Sequence, residues 1–187
     1  MAVVGLCGAL MAQSPAPSAS PIDPMEIDDT ALFPSADQIS QVLGVSVQSQ
    51  GVQSGLSQAW EGSDFDAGTL PSAHMAVYAS PPDDEGQLTG VVIDIIRFQS
   101  VDEAVTNVED TVFGDDEVLP GFETELEGDF LASMSGATDD GMGVSVIFMV
   151  TGPVAVSVTA VATDVPEMEA ESEAIVELVL DRLRGDA

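Results

Sequence analysis

Lysine is absent from this chain, and arginine occurs only at Arg97, Arg182 and Arg184, against 33 Asp and Glu, giving a formal charge of -30 over 187 residues. Three cations cannot form a basic patch able to neutralise several phosphates, so nucleic acid is a poor partner and none is expected. Anionic lipid surfaces are disfavoured for the same reason, because they are recognised by clusters of Lys and Arg. Cysteine is equally scarce: Cys7 stands alone, so no disulfide can form within the chain. The single imidazole, His74, leaves zinc without the several His or Cys ligands it requires. No Gly-x-Ser-x-Gly nucleophile elbow occurs, since Gly143-Val-Ser-Val-Ile and Gly51-Val-Gln-Ser-Gly both depart from it. The longest wholly apolar stretch, residues 1–12, falls short of the ~20 residues that a membrane-spanning helix needs.

What is present is apolar residue content. Hydrophobic residues make up 45% of the chain and mean hydropathy is +0.25, whereas disorder requires low hydrophobicity together with high charge. The length fits one ordinary domain. Coulomb terms are net repulsive at low salt, and screening reaches ~8 Å at physiological ionic strength and ~3 Å near 1 M. The expected solvent is therefore high salt or one with abundant divalent cation, with cations acting as diffuse counterions rather than as a bound cofactor.

Residues 1–12 (MAVVGLCGALMA) match the apolar region of a signal peptide, with small residues near Ala12 suited to cleavage. The usual positive n-region is missing, so the precursor starts upstream or the segment is a remnant. Leu6 precedes Cys7 where a lipobox wants a small residue, so lipid anchoring at Cys7 is disfavoured against loss with the leader. Residues 13–30 contain repeated Pro among Ser, Ala and acids and read as an extended linker. A single domain is expected over 31–187.

Within that domain, Ser35-Ala-Asp-Gln38 is a capping box, followed by Ile39, Val42 and Leu43 on one helical face and Gly44 as a left-handed stop. Ser100-Val-Asp-Glu103 repeats the device ahead of Val101, Ala104, Val105, Val108 and Val112. Asp164, Pro166 and Glu167 open a third helix, with Met168, Ile175, Val176, Val179 and Leu183 as its stripe and Arg182 and Arg184 in its last turn. Elsewhere the period is two. Strands are expected over 73–79, over 91–98 as a central strand, over 122–126 continuing to 130–134, and as a hairpin of 144–151 and 154–162 about Gly152-Pro153. The element order predicts an α+β fold: an antiparallel sheet of about six to eight strands carrying three helices.

The run Leu32-Phe-Pro-Ser-Ala-Asp-Gln-Ile-Ser-Gln-Val-Leu-Gly44 resembles the opening helix of actinobacterial exported lipoproteins and of the extracellular sensor domain of receptor serine/threonine kinases. Ile96-Arg-Phe-Gln-Ser-Val-Asp-Glu-Ala104 is similar to that family's strand leading into its central helix, and 148–162 to its hairpin before the terminal helix. The resemblance implies an exported sensor-like or accessory module; a central ligand cleft is a feature proposed for that family. In that family disulfides brace the fold, whereas this body contains no Cys.

Four residues are candidates for ligand contact. Arg97 could hold an anion, with a salt bridge to one of the acids as its competing role. His74 could act as a base, although without a nucleophile beside it the structural role is favoured. Tyr78 shares its strand, and Trp60 could line a cleft or fill core. Asp94 and Arg97, three apart on one strand, point to opposite faces and each needs its own partner. Acidic turns at Asp83-Asp84-Glu85, Asp115-Asp116-Glu117 and Asp139-Asp140 lack the EF-hand register. No catalytic residue, metal site or cofactor is assigned. The reading is a non-enzymatic, exported binding or sensor-like module at the cell surface. The alternative is a small enzyme or calcium-dependent binder built from dispersed carboxylates.

Overall fold

Helices begin where the chain supplies caps. The computed structural model describes residues 28–60, 70–81, 89–113, 121–138, 141–163 and 168–185. In α1 (Ala36–Leu43) the Ser35 hydroxyl accepts from the Gln38 amide at 3.3 Å and Gln38 Oε1 accepts from the Ser35 amide at 3.0 Å. Gly44 ends it at φ 68°, which only a residue without Cβ adopts cheaply. In α2 (Val101–Phe113) Ser100 Oγ accepts from the Glu103 amide at 3.2 Å while Glu103 Oε2 accepts from the Gln99 amide at 2.9 Å. Ala104, Val108 and Val112 are buried, whereas Val101 lies exposed at the first turn. α3 (Glu169–Arg184) starts after Met168 without a side-chain cap, and the expected capping residues 164–167 lie outside the described residues. Of its expected stripe Ile175, Val176 and Val179 are buried together with Leu180, while Leu183 is only partly buried, and Gly185 closes the helix by donating to Arg182 O.

Among the described residues six strands form one antiparallel sheet: β1 (Gln48–Ser54), β2 (Ser72–Ala79), β3 (Thr89–Arg97), β4 (Phe130–Ala137), β5 (Met142–Thr151) and β6 (Val154–Thr163), in the order β1-β2-β3-β6-β5-β4. With three helices the fold is α+β, as the element order predicts. Alternation divides the sheet into two faces. Val91, Ile93 and Ile95 of β3 join Val156, Val158 and Ala160 of β6 in a core covered by α1 and α3. Ile96, Ala155, Phe148 and Val150 face α2 on the other side, with Trp60 and Phe98. The expected central strand, β3, is therefore buried on both faces.

Two local expectations differ from the structure. Residues 122–126 keep the expected alternation, with Leu126 buried and Glu123, Glu125 and Glu127 exposed, but they form no strand. One bridge, Gly121 to Met134, and one amide bond from Phe122 to Ser133 O hold the start of the segment to β4. Farther on, the Leu126 amide bonds to Thr124 Oγ1, a local contact that competes with a ladder. Conversely β1, for which no apolar alternation exists, is a strand: an exposed polar edge with a register shift between Ser49 and Val52 around Gly51.

The apolar leader, Cys7 and all of the linker up to residue 27 lie outside the described residues, as do the acidic residues 83–85, 115–117 and 139–140. Residues 28–30, the end of the expected linker, belong to a packed turn described below. Gly128 marks a tight spot before β4, because a Cβ there would stand 2.6 Å from the Val150 carbonyl oxygen and 3.2 Å from Met149. Gly128→Ala must push β4 off β5, so urea denaturation should show a loss of about 1–3 kcal/mol.

Candidate functional site

Strand register decides which candidate residues meet. Ser72 pairs with Arg97, His74 with Ile95 and Tyr78 with Val91, so Ser72, His74, Tyr78 and Arg97 project from one face of the sheet. This is the face of α1 and α3. Trp60 sits in the core on the opposite face. Three of the four candidates are thus brought to one side and the fourth is separated from them by the sheet.

Arg97 is already paired. Its Nη2 and Nε donate to the two carboxylate oxygens of Asp29, the Nε bond at 3.2 Å, and the Ser72 hydroxyl donates to Asp29 Oδ2 as well. Asp29 opens a four-residue 3-10 helix, Asp29–Leu32, that carries Leu32 into the core. With Arg97 at 14% and Asp29 at 7% exposure, water screens this pair weakly, and each hydrogen bond to a charged group contributes about 1.5–3 kcal/mol. The neighbouring Asp28 caps the turn, accepting from the Thr30 amide at 3.0 Å and its hydroxyl at 2.7 Å. Those two bonds, hydroxyl first, hold the Asp28 carboxyl below its usual range, and His74 adds a smaller pull in the same direction. Sequence reading missed Asp29 because it follows the Pro-rich stretch. The Asp-Asp-Thr cap motif is the signal that marks it.

Tyr78 is 2% exposed and its hydroxyl donates to the Pro34 carbonyl at 2.6 Å, fastening the lead-in of α1 to β2. Burial raises its pKa to about 12 against a smaller opposing effect of Arg182, so it stays protonated at neutral pH. Its role in this arrangement is to donate one fixed hydrogen bond.

On the opposite face Asp94 is sealed from solvent. It accepts from the Ser57 amide at 2.7 Å, the Ser57 hydroxyl at 2.5 Å and the Ser157 hydroxyl at 2.8 Å. Trp60 Nε1 donates to Ser157 Oγ at 3.2 Å, and its ring meets Phe148 edge-on at 5.3 Å and 88°. The partner that Asp94 requires is thus a set of neutral donors, and the set pins residues 57–60 to the sheet. Burial raises the Asp94 pKa, opposed in turn by the Ser57 and Ser157 hydroxyls, the Ser57 amide and Trp60. Among the described residues no group of three His, Cys, Asp or Glu is placed to hold a metal ion.

The Asp94 proton is therefore bound more tightly by the folded than by the unfolded chain. Its contribution is full below the unfolded carboxylate value of ~3.9 and is lost as pH rises through the raised native value. Urea denaturation should show Asp94→Ala losing about 3 kcal/mol, with Ser57 and Ser157 left unpaired, and Asp94→Asn losing about 1 kcal/mol or less. Because Asn does not titrate, the stability of Asp94→Asn relative to wild type should rise across that pH interval.

No protein-family model matches the chain, and no curated protein matches it. Among solved structures, the crystal structure of the extracellular domain of PknH from Mycobacterium tuberculosis is similar, with a TM-score of 0.60 at 12% identity, covering 83% of this chain and 94% of that domain. At that identity the likeness is one of fold.

Proposed function

We propose that this chain is a non-enzymatic, sensor-like binding module that works outside the cytoplasmic membrane. The observation that carries this reading is the fold shared with the extracellular domain of PknH over 94% of that domain, beside the resemblance of residues 32–44 to extracellular sensor domains. The apolar residues 1–12 and the Pro-rich residues that follow support export, and among the described residues no helix is long and apolar enough to cross a membrane. A binding role also suits the chemistry of these residues. His74 is the only imidazole, Tyr78 and Trp60 direct their polar atoms inward, and Asp94 is sealed in the core. Arg97, at the edge of the α1 and α3 face, is the residue of the four suited to an anionic ligand.

Protease added to intact cells expressing the full chain should degrade it. Protection until the cells are lysed would overturn the external location. A purified sample should leave a panel of esters, peptides and phosphate esters unhydrolysed, and turnover that disappears in His74→Ala would make the protein an enzyme.

The acidity belongs to the same reading as an adaptation to a salty exterior. Among the described acids only Asp29 and Asp94 are buried; the first turns of α1, α2 and α3 take Asp37, Asp102, Glu103, Glu169 and Glu171, where the helix dipole favours them. The remaining repulsion is screened by salt. The thermal midpoint should climb steeply with NaCl, and a flat response would return the acidity to a specific binding role.

A further inference from the structure

We infer that Arg97 and Ser72 form an exchangeable carboxylate site which the chain fills with its own Asp29, so that a small organic carboxylate can take the place of that side chain. The donors and the acceptor sit on different kinds of structure. Arg97 and Ser72 are a registered pair on the neighbouring strands β3 and β2, held by the sheet. The acceptor arrives on a four-residue 3-10 turn, Asp29–Leu32, flanked by exposed Asp28, Thr30 and Ala31. Beyond the ion pair, that turn is held by the Ala31 amide to Asp28 O at 2.8 Å, by the Asp28 cap on Thr30, and by Leu32 and Phe33 in the core.

The donor set is built for a carboxylate. Two guanidinium N–H groups on one edge of Arg97 address both oxygens of one planar acid, and the Ser72 hydroxyl adds a third donor to Oδ2. A fork of this kind recognises any carboxylate that reaches it in plane. Arg182 is committed elsewhere, to Gln38 Oε1 at 2.6 Å and Leu178 O at 2.5 Å, and Arg184 is exposed on α3 beside Asp181. The site stands on this geometry and needs no external location or sensing role.

Full-length wild type and Asp29→Ala proteins, titrated with sodium acetate against sodium chloride at constant total sodium, test this. Asp29→Ala should bind one acetate saturably by calorimetry, with its thermal midpoint rising towards wild type. Wild type should bind about 100-fold more weakly, since its site is open only in the fraction of molecules whose turn has lifted. In wild type, excess acetate should also speed hydrogen exchange at the amides of Thr30 and Ala31. Adding Arg97→Gln to Asp29→Ala should abolish the acetate response. A second arm with an acetylated, amidated Asp-Asp-Thr-Ala peptide separates the sources: binding by acetate supports a small-acid ligand, and binding by the peptide alone overturns it in favour of an acidic segment of another chain. Equal responses to acetate and chloride in Asp29→Ala, or an acetate response that survives Arg97→Gln, would reduce Arg97–Asp29 to a fixed ion pair. If Asp29→Ala fails to fold, Asp29→Asn takes its place and must bind acetate more tightly than wild type. Failure of this test leaves the protease-accessibility result untouched, and a protected, internal chain would leave the acetate result untouched.

Discussion

Pairing of β3 with β6 is the interaction on which the remaining structure depends. Nine residue pairs, from Thr89–Ala162 to Arg97–Val154, join the meander β1-β2-β3 to the meander β4-β5-β6. Without that seam there would be two separate three-stranded sheets. With it, one surface seats α1 and α3 and the other seats α2. The apolar residues of both strands serve two cores at once, which explains why VVIDIIRF and VAVSVTAVAT carry so few polar side chains. The exceptions face each other: Asp94 is registered against Ser157 and bonds to it. A carboxylate at the seam is tolerated because three donors meet it, and its cost is offset by fastening residues 57–60, including Trp60, over the second core.

The second constraint is electrostatic. A chain of charge -30 has few cations to distribute, and each is bound to oxygen within its own fold. Arg97 ties the first described turn to the sheet. Arg182 reaches Gln38, whose same side-chain oxygen caps α1, so the C-terminal end of α3 supports the start of α1. Arg184 lies 3.9 Å from Asp181 on the exposed side of α3, where such a pair contributes little beyond its favourable position at a helix C-terminus. Two of the three thus act as cross-links between segments remote in sequence, a use suited to guanidinium groups with several donors in a fixed fork.

These features were unequally legible in the sequence. Capping boxes at Ser35 and Ser100 are local, so reading and structure agree on α1 and α2. The runs 91–98, 144–151 and 154–162 are long and β-branched, so β3, β5 and β6 could be read directly. β1 could not: Gln48–Ser54 has one apolar residue, because an edge strand exposed on both sides needs no apolar pattern. The segment 122–126 misled in the opposite direction, since alternating burial records that one side touches the core and not that the backbone joins a ladder. Of the site, the opposed faces of Asp94 and Arg97 followed from spacing alone. Their partners Asp29, Ser57 and Ser157 did not, because these lie 68, 37 and 63 residues away along the chain and only the closed sheet brings them near.

The sheet's edges bear on where recognition can occur. An open edge offers unpaired amides and carbonyls to any extended chain. Here β1 is interrupted by the register shift at Gly51, with φ 84°, which turns part of its backbone out of line. The other edge, β4, is partly occupied where Gly121 bridges Met134 and Phe122 exchanges two hydrogen bonds with Ser133. Strand addition is therefore hindered at both ends. The core aromatics Trp60 and Tyr78 have already spent their donors. Among the described residues, the Arg97–Ser72 pair at the strand ends is scaffold-borne and chemically specific, with Arg97 in partial contact with solvent at 14% exposure. Its occupant is Asp29 of the chain's own first described turn, so any acid entering the proposed site must displace that one aspartate.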